Sequence, residues 1–577
     1  MTRIMSVLVI TLVVTSAGFG QVSFIDMAEP LNVTDLDFTC GVGIVDLDGD
    51  GYSEIIIASH LGADRLYRWQ YGAYEEMGDE YGLSTDSDNH HNICLTDIDK
   101  DNLPDFFITG DPGYSNHGHL YLNYGHPPFD EVAESYNVAD VREMGSAFFQ
   151  YTPDSELAVL CGGNLMVRQG QTFVDITDGS GLEDIENVLT PMLCDFDGDN
   201  DDDLFVAGNH TSHQCRLYRN NGDTTFTDIS GNTNEDGFPI GQGATVGDID
   251  NDGDFDIYIS SGFGSNTLWE NDGTGYFTNI TGQSNTGVYG YTRAAAFGDF
   301  DNDADLDLFV NRATDYNMLF LNDGTGVFTD CSQESNVMDN YNGAGCATSD
   351  LNNDGQLDIV AVNYVYDPAQ VLINQNQNGS FLKIRLYGAY PNTMALGAIV
   401  KLYGLNSSDP PEEVLIGTRQ IQSLSTMYSF SDPIIHFGTG DYENLRVIVT
   451  FNSLAVVELD DILPGQVIDI AESPTSISDL VLELPDDIMN INAYPNPFNN
   501  SINIEISGGS SGCYDLEIYD LLGRSVRTGK IRVAASSKAS FTWDGNNDSG
   551  QPLPSGIYCI RVASGQTRTN TSITLLR

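Results

Sequence analysis

The sequence predicts an all-β protein built around a seven-bladed β-propeller, and three observations carry that prediction. An acidic cluster of the D-x-[DN]-x-D type recurs six times at a near-constant period. Each copy runs straight into a short β-branched or aromatic-rich stretch that reads as a strand. The segment before the first copy resembles the closing strand of later ones, as a ring sealed by its own N-terminus requires.

The copies are DLDGDGYSE at 46, DIDKDNLPD at 97, DFDGDNDDD at 195, DIDNDGDFD at 248, DFDNDADLD at 299 and DLNNDGQLD at 350. Their starts lie 51, 98, 53, 51 and 51 residues apart. The gap of 98 holds two periods, and the stretch GSAFFQYTPDSELAVLCGG inside it keeps the strand–turn–strand hydrophobicity but loses the Asp ladder. Seven repeats follow, the third without ligands. Around the copy at 248 the order is a small-residue strand (GATVGD), the acidic loop, a strand from Asp256 to Ser261, then NTLWENDGTG and FTNIT. Four short strands per period of this length are the mark of a propeller blade. The last repeat passes from VLINQNQNG into a different pattern at Phe381, so it lacks a closing strand; the segment Val22 to Val33 (VSFIDMAEPLNV) is expected to supply it.

Composition agrees. Hydrophobic residues make up 41% and charged residues 19%, with 59 glycines, which suits a turn-rich β protein. The formal net charge of −61 argues against nucleic acid and against an acidic membrane surface as partners. Arg3, an apolar run from Ile4 to Val14 and small residues up to Gly20 read as a secretory signal peptide over 1–20. No later segment is apolar enough to span a bilayer, so the mature chain is expected to have no transmembrane span. Nine cysteines, none in C-x-x-C spacing, give no support to a zinc knuckle. Cys513 with Cys559, and Cys331 with Cys346, are the candidate disulfides to test first.

Oxygen ligands at alternate loop positions suit a hard cation taking six to eight oxygens, which outside cells is usually Ca²⁺. The candidate ligands are Asp46, Asp48, Asp50 and Glu54; Asp97, Asp99, Asp101 and Asp105; Asp195, Asp197, Asp199 and Asp203; Asp248, Asp250, Asp252 and Asp256; Asp299, Asp301, Asp303 and Asp307; and Asp350, Asn352, Asp354 and Asp358. That makes about six structural calcium sites. An EF-hand would carry Glu or Asp at position twelve on a helix. Here that position is Ile57, Ile108, Val206, Ile259, Val310 or Ala361, inside strand-like runs. The alternative for each loop is an Asp/Gly turn that binds nothing, and it weighs most where Asn102, Asn200 and Ala304 replace the usual Gly.

The repeated loops resemble FG-GAP or VCBS repeats, the propeller blades of integrin α chains and many bacterial surface proteins, over residues 21–378. From Asn378 a new pattern begins: NGSFLKIRLYG, NTMALGAIVKLYG, IIHFGTG, LRVIVTF and LPGQVIDI. With Asn392, GAIV at 397, HFGTG at 436 and GQ at 465 it resembles the ASPIC/UnbV domain over 379–472, although FNSL at 451 departs from that family's turn. His436 has no nucleophile partner in view and reads as a packed residue; His90, His91, His117 and His119 read as loop residues without zinc-ligand spacing. After a linker over 473–490, the stretches YPNPFN, IYDLLG and SGIY resemble the C-terminal sorting domain of the type IX secretion system over 491–577. Its alternating strands suit an Ig-like β-sandwich, and Asp544 and Asp548 belong to a turn. The resemblance implies contact with type IX secretion machinery, then release or attachment at the bacterial cell surface.

Together these features imply a calcium-binding propeller acting as a binding or adhesion platform for glycan or protein. The alternatives are a calcium-dependent polysaccharide lyase or related hydrolase, and a structural surface protein. No H-E-x-x-H or isolated carboxylate pair stands apart from the acidic ladders, and no catalytic residue is assigned.

Overall fold

The computed structural model describes residues 22–33, 38–70, 72–83, 89–110, 118–140, 144–151, 157–185, 188–208, 214–364, 367–376, 379–406, 413–472 and the strands between 489 and 575. The signal-peptide segment, His117, Asp544, Asp548 and the linker up to 488 lie outside the described residues.

Seven four-stranded antiparallel sheets follow one another along the chain. Their first strands are Phe38–Val45, His90–Thr96, Ser146–Gln150, Thr190–Cys194, Gly243–Gly247, Thr292–Gly298 and Gly343–Ser349. Each neighbours the first strand of the next sheet, and the last neighbours Phe38–Val45, so the ring closes. Strands such as GATVG and GAGCATS are rich in small residues because they converge on the axis, where large side chains would collide.

The seventh sheet is completed by Phe24–Asp26, which pairs antiparallel with Gln370–Asn374 in the register Phe24↔Asn374. Further bonds stitch the last blade to the first. The Thr39 hydroxyl donates to the Asn363 carbonyl at 2.7 Å, and Asn353 Nδ2 to the Gly51 carbonyl at 2.8 Å. The third blade forms from Ser146–Gln150, Leu157–Cys161, Asn164–Gln169 and Thr172–Asp175; the turn at 152–156 lies outside the described residues.

The segment after the propeller folds as two sheets. Phe381–Tyr387 pairs antiparallel with Ile435–Gly438 and parallel with Gln466–Ala471. The second sheet runs Glu413–Gln420, Ile399–Leu405, Leu445–Thr450, Val456–Ile462. Leu382, Ile384, Val400, Phe437, Val447 and Val449, each fully buried, fill the space between them. This module and the propeller form one compact unit up to Pro474.

The second unit, Thr475–Arg577, is a separate two-sheet body. Met489–Tyr494, Ile502–Gly508 and Ala539–Trp543 form one sheet; Ser525–Val533, Gly512–Asp520, Gly556–Ser564 and Thr567–Leu575 form the other. Ile504, Leu516, Ile518, Trp543, Ile560 and Val562 are its core.

Neither candidate disulfide is formed by this geometry. Cys331 and Cys346 are free thiols, one following the outermost strand of the sixth blade and the other on the innermost strand of the seventh. Cys559 pairs with Tyr519 and Cys513 with Arg532, six residues out of step along one strand. At about 3.3 Å per residue that separation is far beyond a disulfide's reach.

Candidate metal centres

In all six acidic loops the chain turns the same way, and the reason is backbone hydrogen bonding to the first Asp. The sixth loop residue (Gly51, Asn102, Asn200, Gly253, Ala304 or Gly355) donates its N–H to one oxygen of Asp46, Asp97, Asp195, Asp248, Asp299 or Asp350 at 2.9–3.2 Å. That bond needs a left-handed residue. Gly51, Gly253 and Gly355 adopt φ of 88°, 99° and 86°, Asn102 and Asn200 68° and 69°, and Ala304 is held at 90°. The fifth residue's carboxylate in turn accepts the seventh residue's N–H at 2.9–3.0 Å.

The last acid of each loop is a buried strut. Asp105, Asp203, Asp256, Asp307 and Asp358 each accept one N–H from the second loop residue at 2.7–3.2 Å. Their other oxygen accepts the N–H of an Asn ending the third strand, at 2.8–3.0 Å. Those asparagines were not singled out from the sequence. Four of them, Asn123, Asn271, Asn322 and Asn374, then donate from Nδ2 to Leu47, Phe196, Ile249 and Phe300 of the preceding blade at 2.6–2.8 Å. Asn220 instead donates to Asp202 of its own blade. The periodic Asn two or three residues before each hairpin turn is the signal that could have found them.

The third position holds the open valence. Asp99, Asp197, Asp250 and Asp301 each carry a buried carboxylate oxygen with no hydrogen-bond partner, and Asp248 and Asp299 carry another. Three carboxylate groups bring ligand atoms within 4.8 Å of one another at Asp46/Asp48/Asp50, Asp97/Asp99/Asp101, Asp195/Asp197/Asp199 and Asp248/Asp250/Asp256. Burial first, then the neighbouring carboxylates, disfavours the charged form and so pushes these carboxyl groups above their ordinary range. Asp195 and Asp250 rise to about 6, Asp248 to about 7 and Asp203 to about 9. Asp299, Asp301, Asp303 and Asp307 rise for the same reasons. Buried oxygen donors that repel each other and lack N–H partners fit a hard divalent cation.

The end loops differ. Arg68 reaches from the third strand of the first blade to Asp48, with Glu54 at 3.9 Å. In the seventh blade Lys383 donates to Asp350 Oδ2 at 2.8 Å and to Asn353 Oδ1 at 3.0 Å. A protein cation thus pairs with a loop carboxylate in the first and last loops, and the orphaned third-position oxygens belong to the four loops between.

A family model for FG-GAP-like repeats matches residues 46–108, 195–259, 248–310 and 299–361, and one for a secretion system C-terminal sorting domain matches 492–575. The chain carries FG-GAP-like repeats and a type IX sorting domain. It is also similar to cartilage acidic protein 1 of Xenopus tropicalis, 24% identical over 477 residues covering 73% of this chain and 71% of that protein. The Homo sapiens protein is 24% identical over 481 residues, covering 73% and 69%. This similarity supports the ASPIC/UnbV assignment of the middle module. Among solved structures, Saccharomyces cerevisiae Sqt1 overlaps 62% of this chain and all of its own at 10% identity, with a TM-score of 0.37 that carries no weight here.

The ASPIC/UnbV module covers the FG-GAP loops. Gly438 N–H donates to Asp299 Oδ2 at 2.9 Å, Gly440 N–H to the Asn302 carbonyl at 3.2 Å, and Gln420 Nε2 to Asp202 Oδ1 at 2.6 Å. Thr393 donates to Asp97, Lys401 to the Gly253 carbonyl and Ser53 to Asp432. Every acidic loop therefore touches the module. A side chain at Gly438 would put Cβ 2.2 Å from Asp299 Oδ2, which accounts for the glycine in HFGTG. His436 packs flat on Phe381 and bonds the Gly355 carbonyl at 3.1 Å, and burial pulls it down to about 4, so it is a neutral docking residue.

From the same module residues 421–432 enter the axial channel. Backbone bonds join Leu95 to Ser423, Ile93 to Tyr428, Phe430 to Val42 and Asp432 to Thr348. The Ser423 hydroxyl adds a bond to the Phe148 carbonyl at 2.7 Å, and the Thr426 hydroxyl one to the Cys346 carbonyl at 2.7 Å. Met427, Tyr428 and Phe430 are buried between the first strands. Gly43 is required there, because a Cβ would meet the Phe430 ring at 2.3 Å.

Proposed function

We propose that this protein is a calcium-loaded, non-catalytic binding platform whose ligand is a glycan or a protein surface. Its export is established by the sorting domain, which indicates secretion or cell-surface attachment. Among the described residues, no helix is long and apolar enough to cross a membrane.

The observation that carries the reading is the division of labour between the two faces. The acidic face and the axial channel, where a propeller enzyme would work, are covered by residues 379–472 and filled by 421–432. The opposite face, where the second strands end, carries exposed aromatic rings among the described residues. There Phe263 is 75% and Tyr289 80% exposed, beside Tyr316, and exposed aromatic rings are what sugar faces and protein hot spots stack on. The orphaned oxygens of Asp99, Asp197, Asp250 and Asp301 support Ca²⁺ in the four middle loops, with weaker occupancy at Asp46 and Asp350 where Arg68 and Lys383 compete. The division into 1–20, 21–378, 379–472, 473–490 and 491–577 belongs to the same proposal.

The test is glycan-array and surface-protein binding of the calcium-saturated chain beside a Phe263→Ala/Tyr289→Ala variant, with a product screen on acidic polysaccharides. Specific binding lost in the variant supports the platform. Polysaccharide turnover sinks it in favour of the lyase, and silence in every arm leaves a structural surface protein.

A further inference from the structure

The face away from the acidic loops carries a second constellation that has nothing to do with the oxygen ligands. Cys40 lies near the start of the first blade's inner strand, His60 near the end of its second strand, and His91 at the start of the second blade's inner strand. Sulfur and ring-nitrogen atoms of these three lie within 4.8 Å of one another. His60 Nδ1 and His91 Nε2 stand 2.9 Å apart with the rings at 75°. Tyr364, just beyond the second strand of the seventh blade, brings its hydroxyl within 3.3 Å of His91 Nδ1.

Three blades, with residues separated by 20 to 324 positions in the chain, thus converge at the channel mouth. Cys40 and His91 are buried, and the plug packs its Tyr428 ring against His91 at 5.4 Å. The donor set is one sulfur and two imidazoles with a phenol beside them. Thiolate and imidazole are wrong for Ca²⁺ and right for a borderline divalent metal, whose bonds of about 2.0–2.3 Å bring ligand atoms to the spacing found here after small side-chain rotations. Six residues of the same strand separate Cys40 from Asp46, roughly 20 Å, so the two classes of site are chemically and spatially distinct.

We propose that Cys40, His60 and His91 form a mononuclear site for a divalent transition metal of the Zn²⁺ class, with the Tyr364 hydroxyl orienting His91 through its other ring nitrogen, Nδ1. This stands independently of the calcium and glycan readings. The neutral alternative is a His60–His91 hydrogen bond over a buried thiol.

The test uses the full chain held in excess Ca²⁺, so that the acidic loops are saturated, and titrates it with Co²⁺ as the spectroscopic probe for Zn²⁺. One equivalent should bind with a thiolate-to-cobalt charge-transfer band, be displaced by Zn²⁺, and weaken at least tenfold in Cys40→Ser, His60→Asn and His91→Gln. A wild-type chain that shows no sulfur-to-cobalt band, or a band retained in Cys40→Ser, overturns the proposal. Should Cys40→Ser not fold, alkylation of wild-type Cys40 decides the matter by peptide mapping. Protection by one equivalent of Zn²⁺ supports the site, and an unchanged rate overturns it.

Discussion

On the calcium loading proposed above, stripping the metal from the FG-GAP loops should melt the propeller early, and the loops let the size be worked out. Four of them, the middle loops, carry an orphaned buried oxygen at Asp99, Asp197, Asp250 or Asp301, and extracellular oxygen sites of this kind bind with affinities on the order of 10⁻⁴–10⁻³ M. At about 10 mM Ca²⁺ each such site adds roughly 1.4–2.7 kcal/mol by mass action. Four sites give on the order of 6–10 kcal/mol, which for a propeller of this size lowers Tm by on the order of 10 °C when a chelator is added. The pH dependence has a definite sign. Without metal, burial raises Asp248 from its ordinary 3.8 to about 7, so the folded state holds that proton more tightly than the unfolded chain does. Its contribution favours folding at low pH and is lost as pH rises through about 7. The chelated protein should therefore lose stability from pH 5 to pH 8, and the gain from calcium should be larger at pH 8. Differential scanning calorimetry with and without chelator at both values reads this directly. A Tm at pH 8 indifferent to chelator would refute the reasoning.

Two further predictions concern how the ring is held. Asn322→Leu removes the bonds from Nδ2 to Ile249 and Leu306 at 2.6 and 3.1 Å and leaves buried carbonyls unpaired, so it should destabilise by on the order of 3 kcal/mol. A urea midpoint within error of wild type would show that the inter-blade clamp is idle. Phe430→Ala empties a fully buried site in the channel and should cost about 3–5 kcal/mol, read as faster proteolysis between propeller and module as well as a lower urea midpoint. Unchanged proteolysis would mean that the plug does not hold the two together.

The blade count and the acidic loops were legible because both are periodic, and a period of 51 residues survives the loss of one copy's ligands. The asparagine clamp is periodic too, but Asn before Asp-Gly reads as a turn residue, and only the structure shows Nδ2 of Asn322 crossing to Ile249 of the preceding blade. His90 and His91 were read as loop residues, whereas they begin a strand, and His119 begins another. The covering of the loops could not be read at all. Lys383 and Asp350 meet across a fold boundary, and nothing in either stretch announces the other. Cys40, His60 and His91 have no motif spacing because they come from three strand ends, so a rule that looks for regular ligand spacing passes over them.

The pairing of Phe24 with Asn374 sets a schedule for this molecule. The first strand to be made is the last to find its partner, and until the seventh blade exists the growing chain has no way to shut its circle. Every intermediate up to that moment offers an unsatisfied sheet margin to its neighbours. The sorting domain at 492–575 follows Asn374 in the chain, so every strand the ring needs has been made before the label that exports it.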